Sequence, residues 1–211
     1  IGSELIKVET HGSKTKKNEK LFFKILDVLI EKRFTKKSIL VSLGGGVIGD
    51  VSALAASLYL RGMFFLNIPT TMTSIIDSCL GGKTAINYKN ITNSIGGYYH
   101  AHSVYISLDI ITRIPDREFL AGIPEILKCA LINKNKTFLN YLISNKDKIL
   151  RRDKKVIKKI CYETLKIKLS FFLKDINENK KRLFLNFGHT FAHAIEMATD
   201  QYKKDFYRHG E

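Results

Sequence analysis

The stretch "SILVSLGGGVIGDVSALAASLYLRG", residues 38–62, decides the fold. It begins with a short β-type run at 38–43, passes through a glycine turn and continues as an apolar helical pattern. A second candidate for a buried strand follows at 63–69 and a third at 103–109. Strand, glycine turn, helix and strand in this order are typical of an α/β domain with a parallel sheet.

From about residue 116 the sequence becomes helical and rich in lysine. The pattern predicts amphipathic helices over 116–132, 138–150 and 154–175, with Pro124 as an interruption in the first. We therefore predict the α/β class, with a parallel-sheet domain at 1–115 and a mostly α-helical domain at 116–211.

The composition fits a soluble globular protein, since 45% of the 211 residues are hydrophobic. No apolar run reaches the roughly 18 residues that a membrane span needs, and the first residues lack the apolar core of a signal peptide. Cys79, Cys129 and Cys161 lie far apart and form no CxxC pair. They are expected to be core residues of a protein in the reducing cytoplasm.

The net charge of +15 comes mostly from scattered lysines. No nucleic-acid motif and no alternation of aromatic and basic residues accompanies it, so we expect no nucleic-acid partner. Solvated helix faces are the simpler interpretation of the lysines. An electrostatic funnel for a small anionic substrate is the alternative.

The glycine turn, with Gly44, Gly45, Gly46 and Gly49 before Asp50, is a candidate phosphate site. Glycines at this position let backbone N–H groups approach a pyrophosphate at a helix N-terminus. They also occur merely because a turn needs positive φ. The turn departs from the G-x-G-x-x-G pattern, so both interpretations stay open.

A polar segment at 68–87 favours the nucleotide interpretation. Its hydroxyls, carboxylate and lysine, from Thr70, Thr71, Asp77 and Lys83, suit ribose and phosphate oxygens. A polar loop that caps two helices would explain the threonines, but not a lysine directly after two glycines.

Two histidines four residues apart, His189 and His193, share one face of a predicted helix, and His209 follows near the end of the sequence. This i, i+4 spacing suits two ligands of one metal ion. The residues alone therefore favour His189 and His193 as a metal-binding pair.

The chain resembles a known family through motifs in the same order and spacing. They are "GGGVIGD", "YLRG", "IPTT", "DSCLGGKTAIN", "PDREFLAGIPEILK", "RLFLNFGHTFAHAIE" and "HGE". Over residues 38–211 these motifs resemble those of 3-dehydroquinate synthase and its sugar phosphate cyclase relatives. The family is longer at both ends, so we expect both domains of this chain to be incomplete.

This resemblance implies an enzyme of the shikimate pathway that uses NAD and Zn²⁺, or Co²⁺, and acts on 3-deoxy-arabino-heptulosonate 7-phosphate. The family oxidises an alcohol of this sugar phosphate, eliminates phosphate, reduces the ketone again and closes a carbocycle, giving 3-dehydroquinate. It also implies a cytoplasmic homodimer whose N-terminal domain binds the nucleotide.

The resemblance assigns the metal ligands to Glu125, His189 and His209, and places His193 against the substrate. Arg61 resembles an arginine that family members lend to the neighbouring site across a dimer. The remaining substrate contacts it implies are Lys83, Lys128, Lys168, Arg182, Asn186 and Asn93. The cofactor contacts it implies are Gly45, Gly46, Val47, Ile48, Gly49, Asp50, Thr70, Thr71, Asp77, Lys83 and Thr92.

Helical spacing adds the expectation that Arg182 and Asn186, four residues apart, face the same pocket. Three positions depart from the family pattern. Thr92 stands where a lysine is usual, Arg113 where a threonine is usual, and Pro124 where an alanine is usual. A sister cyclase with another heptulose phosphate as substrate and a non-catalytic member of the family therefore remain as alternatives.

Overall fold

The computed structural model describes residues 5–10, 16–89, 91–175, 180–201, 207 and 210. The chain divides into two compact units, one formed by Ile1–Ile68 and Gly82–Val104, the other by Pro69–Gly81 and Tyr105–Glu211. Each unit has its own hydrophobic core.

The first unit contains the elements that the opening stretch predicts. In chain order its helices and strands are α1 (Glu19–Glu31), β1 (Ile39–Gly44), α2 (Gly46–Leu58), β2 (Phe64–Pro69), β3 (Lys83–Tyr88), β4 (Ile91–Tyr98) and β5 (Ser103–Val104). A short 3₁₀ turn at Tyr59–Arg61 connects α2 to the next strand.

A three-stranded sheet in the order β1-β2-β5 carries the glycine turn at the end of β1. Strand β2 pairs with β5 in parallel, with Leu66 opposite Ser103. Helix α2 buries Val51 and Ala55 completely in the core of this unit. The predicted α/β class with a parallel sheet is confirmed.

The predicted third strand is much shorter than its sequence pattern. The run at 103–109 forms strand structure only at Ser103–Val104, because the next helix begins at Leu108 with Ser107 as its N-cap. A second sheet, the antiparallel hairpin β3–β4, was not predicted. In β3 the side chains alternate between buried and exposed only around Thr84 and Ile86, which are buried while their neighbours are half-buried or exposed.

The second unit is helical. It contains a π-helical turn (Ser74–Ser78), α3 (Leu108–Arg113), α4 (Asp116–Leu120), α5 (Ile123–Ile132), α6 (Lys136–Ser144), α7 (Lys146–Leu150), α8 (Lys154–Lys174), a 3₁₀ segment (Lys181–Asn186) and α9 (His189–Gln201).

Two of the predicted helices are each divided into two. Pro124 lies in the first turn of α5, where a missing backbone N–H costs nothing, so it begins that helix instead of interrupting a longer one. Asn145 ends α6 and begins α7. The predicted helix at 154–175 is α8, and the carboxylate of Asp153 caps its first turn through the N–H groups of Lys155 and Val156.

Among the described residues, no helix is both long enough and apolar enough to cross a membrane.

Candidate active site

The glycine turn leaves the N-terminus of α2 open. The N-cap residue is Gly45, and because glycine has no side chain, nothing at this position caps the helix. The N–H groups of the first turn have no partners within the helix. A side chain on Gly44 would place its Cβ 2.7 Å from the Cβ of Ile48, so this position needs glycine for close packing. None of the glycines of this turn is among the described residues with positive φ. A need for positive φ therefore does not explain them.

The open helix terminus fits a pyrophosphate. Gly46, Val47, Ile48 and Gly49 form the first turn of α2, Asp50 follows directly, and the N–H of Gly49 is already bonded to the carbonyl of Gly45 at 3.1 Å. The preceding N–H groups and the helix dipole favour an anion there.

Asp50 belongs to a polar cluster that the sequence predicts only in part. The ammonium of Lys17 lies 2.6 Å from the Asp50 carboxylate and 2.5 Å from the side-chain oxygen of Asn93. Asp50 and Asn93 were both predicted, but Lys17 was not. Nothing in the run "KTKKNEK" distinguishes this lysine from its neighbours.

The other predicted residues of the first unit lie on its surface. Lys83 begins β3, and Thr92 is exposed on β4. Arg61 is exposed and left-handed, with φ 64°, between Leu60 at φ 49° and Gly62 at φ 116°. Two consecutive non-glycine residues in this region are uncommon and carry backbone strain.

In the second unit, Thr71 stabilises a turn. Its hydroxyl and that of Ser74 are 2.9 Å apart, and each accepts from the backbone N–H of the other residue. This arrangement matches the capping alternative for Thr71. Thr70, the preceding residue, is half-buried.

The second unit contains a group of ionisable side chains in which buried residues of α5 meet a half-buried histidine of α9. Glu125 and Lys128 are three residues apart on α5, and their side chains are 7% and 8% exposed. The Lys128 ammonium lies 2.5 Å from Glu125 Oε2 and 3.2 Å from His189 Nε2. His189 Nε2 is in turn 3.5 Å from Glu125 Oε1. The structure thus brings together two predicted metal ligands and one predicted substrate contact.

The same group fits a metal ion. Two ligands bound to zinc at about 2.1 Å in tetrahedral geometry are roughly 3.4 Å apart. Glu125 Oε1 and His189 Nε2 lie 3.5 Å apart, with their donor atoms facing each other. Carboxylate oxygen and imidazole nitrogen are both ordinary zinc ligands. His209, the predicted third ligand, lies outside the described residues, and no group of three such ligands occurs within the part of the chain that the structure describes.

His193 stacks on His189, with ring centroids 5.4 Å apart, and is exposed. The two histidines share a helix face as their spacing predicts. Glu125, from a distant part of the sequence, faces His189 within 3.5 Å.

A second ion pair, between a buried lysine and a half-buried aspartate, joins α8 to the π-helical turn. Lys168 donates to the carboxylate of Asp77 and to the backbone carbonyl of the same residue. Burial alone would raise the pKa of Asp77, but the Lys168 ammonium beside it brings the pKa below its ordinary value. Asp77 is therefore ionised at neutral pH.

Arg182 is buried in the same unit. Its guanidinium donates to the carbonyl of Gly81 at 2.8 Å and stacks over the Phe172 ring at 5.1 Å. Gly81 has φ +101°, and a Cβ there would lie 2.5 Å from Arg182, so the contact requires glycine. The expectation that Arg182 and Asn186 share a face assumed an α-helix at these residues, and that assumption is wrong. Lys181–Asn186 is a 3₁₀ segment, in which residues four apart are rotated by about 120°.

The 3-dehydroquinate synthase N-terminal family model matches residues 7–121, and the C-terminal model matches residues 122–211. A 3-dehydroquinate synthase of Francisella tularensis subsp. holarctica is 44% identical over 182 residues, which are 85% of this chain and 50% of the relative. The enzyme of Thermodesulfovibrio yellowstonii is 40% identical over 90% of this chain and 52% of its own length. The chain thus spans about half the length of the curated relatives it matches.

Solved structures show the same fold. A 2-deoxy-scyllo-inosose synthase complexed with carbaglucose-6-phosphate, NAD⁺ and Co²⁺ is 30% identical, with a TM-score of 0.84 over 94% of this chain and 53% of that one. A 2-epi-5-epi-valiolone synthase of Streptomyces hygroscopicus, 24% identical with a TM-score of 0.81 over 96% of this chain and 55% of that one, supports the fold alone.

Proposed function

The chain belongs to the 3-dehydroquinate synthase family, and from this premise we propose that the protein converts 3-deoxy-arabino-heptulosonate 7-phosphate into 3-dehydroquinate and phosphate. The observation that carries the proposal is the contact of buried Glu125 and Lys128 with half-buried His189. Glu125 and Lys128 are buried beside half-buried His189, and taking charged side chains out of water is costly, so this group with two ordinary metal ligands 3.5 Å apart points to a bound ligand.

We propose NAD as the cofactor and Zn²⁺, with Co²⁺ as the alternative, as the metal. The open N-terminus of α2 suits the nucleotide pyrophosphate, and Glu125 with His189 supplies two ligands for the metal. When bound, NAD accepts and returns a hydride while the metal polarises the substrate alcohol. His209 is proposed as the third ligand on the strength of the family motif.

The charged side chains of the second unit hold the anionic substrate in this proposal. Lys128 is placed to shift from Glu125 to a substrate oxygen once the carboxylate binds a metal ion. Arg182 and Lys168 provide fixed cations for carboxylate or phosphate, and Asn186 a polar contact. Exposed His193, stacked on His189, is suited to holding the phosphate or relaying a proton.

Both units contribute the remaining proposed roles. In the first unit Lys83 and Asn93 are proposed as substrate contacts and Thr92 as a cofactor contact. In the second unit Thr70, Thr71 and Asp77 are proposed as cofactor contacts. We also propose a cytoplasmic homodimer, in which Arg61 acts on the neighbouring site. The three free and buried cysteines are those of a protein from a reducing compartment.

The test is phosphate release by the protein supplied with NAD, Zn²⁺ and 3-deoxy-arabino-heptulosonate 7-phosphate. We expect His189→Ala to reduce release by at least about 100-fold, since even outer-shell changes at metal sites cost 10–100-fold. Thr190→Ala, an exposed neighbour on the same helix, is the matched control and should release phosphate like the wild type. Equal release from both variants would refute the proposed role of His189.

A sister cyclase is the second candidate, because the 2-deoxy-scyllo-inosose synthase structure matches 94% of this chain. The same assay with a hexose 6-phosphate, the class of ligand bound in that structure, separates the two. Release from the hexose phosphate and none from the heptulosonate phosphate would favour the sister chemistry. The absence of release from either, in a folded and zinc-loaded protein, would favour a non-catalytic member.

A further inference from the structure

Lys17 occupies a position in the first unit that none of the predicted roles explains. Its ammonium contacts Asp50 Oδ2 at 2.6 Å and Asn93 Oδ1 at 2.5 Å, and its side chain is only 12% exposed. Asp50 lies on α2 directly after its first turn, and Asn93 lies on β4. One lysine thus joins the open helix terminus to the β3–β4 hairpin.

The backbone around Lys17 is fixed. Its carbonyl accepts the N–H of Asn87 at 2.8 Å, and Asn18 forms a parallel β-bridge with the same residue. Asn18 also begins α1, where its side chain accepts the N–H of Leu21 at 3.2 Å. The Lys17 side chain therefore extends from a backbone that is held by hydrogen bonds, unlike that of an ordinary surface lysine.

Asn93 is also held in place. Its backbone is left-handed, with φ 54°, and its N–H donates to the side-chain oxygen of Asn87 at 2.9 Å. Because the Asn93 side-chain oxygen accepts from Lys17, its amide can take only one orientation, with the NH₂ group on the opposite side. The contact with Lys17 therefore orients the Asn93 side chain so that its NH₂ group, a hydrogen-bond donor, points away from Lys17.

The contact with Asp50 has an electrostatic consequence. The Asp50 carboxylate lies directly after the first turn of α2, and it repels an anionic group bound at that terminus. The Lys17 ammonium at 2.6 Å offsets that negative charge. The helix terminus can then receive a phosphate without an opposing field from Asp50.

We infer that Lys17 is a positioning residue, which neutralises Asp50 at the nucleotide-binding turn and fixes the donor orientation of Asn93. The inference rests on the proposed function in that the anion at the turn is the pyrophosphate of NAD. Lys17 acts on the nucleotide through Asp50, whereas Asn93 is proposed as a substrate contact, so the effect of Lys17 on NAD affinity should disappear when the Asp50 charge is removed.

The first experiment measures the affinity for NAD by calorimetry in four proteins: wild type, Lys17→Met, Asp50→Asn and the double variant. Methionine keeps the length of the side chain and removes the charge. We expect Lys17→Met to weaken binding by about tenfold, the scale of one charge-assisted hydrogen bond. In the Asp50→Asn background the same change should cost no more than about twofold.

A loss of equal size in both backgrounds would overturn the inference, because it would mean that Lys17 contacts the nucleotide itself. Lys17→Arg should restore most of the affinity, since a guanidinium can also bridge two oxygens. Lys20→Met, an exposed lysine on α1, is the matched control and should leave binding unchanged.

A second measurement tests the ion pair between Lys17 and Asp50 in the absence of NAD. The unfolding free energies of the same four proteins give the coupling between Lys17 and Asp50, which we expect to be non-additive. Additive values would overturn the ion pair on which the inference depends. If the wild type binds no NAD, the proposed function has failed, and this cycle still decides whether Lys17 holds Asp50.

Discussion

Asp77 and Lys168 illustrate, at the residue scale, how the second unit holds a buried charge. The lysine side chain is 9% exposed and donates twice to the same aspartate. Replacing Asp77 with Asn removes the negative charge and leaves a buried cation with a neutral acceptor. We expect a loss of about 2 kcal/mol in the free energy of unfolding, measured by urea titration at pH 7.

The pH dependence of this loss follows from the direction of the pKa shift. Burial would raise the pKa of Asp77, but the Lys168 ammonium lowers it below the ordinary 3.8. A carboxyl with a depressed pKa stabilises the fold above its unfolded pKa, and this stabilisation is lost as the pH falls through the folded pKa. The difference between wild type and Asp77→Asn should therefore stay constant from pH 7 to about 5 and shrink below about 4. A difference that shrinks between pH 7 and 5 would contradict a lowered pKa.

Lys128 is the residue whose replacement most directly tests the metal-site interpretation. In the structure its ammonium lies between Glu125 and His189, where it competes with a metal ion for the same donor atoms. Lys128→Met should therefore leave zinc affinity unchanged or raise it, while phosphate release falls by at least about tenfold. Zinc content after dialysis and the release assay provide the two readouts. Loss of zinc in the variant would indicate that Lys128 supports the metal ligands instead of the substrate.

At the scale of the elements, three helices end in an unusual way. Arg33, Lys134 and Arg152 follow α1, α5 and α7 with φ of 53°, 51° and 58°, at the position where glycine is common. In each case the N–H of the following residue bonds back to a carbonyl five residues earlier, as in Phe34 to Leu29. These termini have the geometry of a glycine cap but carry a charged residue.

Replacing these residues with glycine should give opposite results. Lys134 is exposed, so Lys134→Gly relieves left-handed strain of about 1 kcal/mol and should stabilise the fold by about 0.5 kcal/mol after the entropy cost of glycine. Arg152 instead pairs with Asp116, bonds to the carbonyl of Thr112 and lies over Phe119. Arg152→Gly should destabilise by about 1 kcal/mol. Thermal unfolding of both variants checks the signs, and a stabilised Arg152→Gly would show that its contacts contribute little.

The elements also show what the sequence could reveal. The strand, glycine turn and helix at 38–62 were predictable because their pattern is local, and so was α8. The β3–β4 hairpin was missed because its pairing is tertiary and only Thr84 and Ile86 bury their side chains in β3. Strand β5 was overestimated, since an apolar run does not reveal that a helix cap follows at Ser107.

The candidate site, like the hairpin, depends on contacts between residues distant in sequence, which a local pattern does not reveal. Glu125 and Lys128 share a helix face by spacing, but their contact with His189 joins residues more than sixty positions apart. The resemblance supplied that pairing, whereas periodicity alone favoured His189 with His193. Lys17 was not found, because one lysine in a basic run carries no sign of its buried position.

At the scale of the whole molecule, the cysteines provide a reporter of folding. Cys79, Cys129 and Cys161 are all buried, and all three belong to the second unit. Burial raises the pKa of Cys79 and of Cys161 to about 12 and that of Cys129 to about 11. Since only the thiolate reacts, the folded protein should be inert to thiol reagents at pH 8.

Thiol labelling therefore distinguishes lost chemistry from lost structure. A disulfide reagent at pH 8 should modify none of the 3 cysteines of the folded protein and all 3 in denaturant. The His189→Ala variant should remain unlabelled if its loss of phosphate release reflects the missing imidazole, because His189 is not among the residues that shift the pKa of the three buried thiols. Rapid labelling of this variant under native conditions would instead show that the second unit has opened. The catalytic role of His189 would then need a more conservative test, such as His189→Gln, which keeps a polar side chain of similar length beside Glu125.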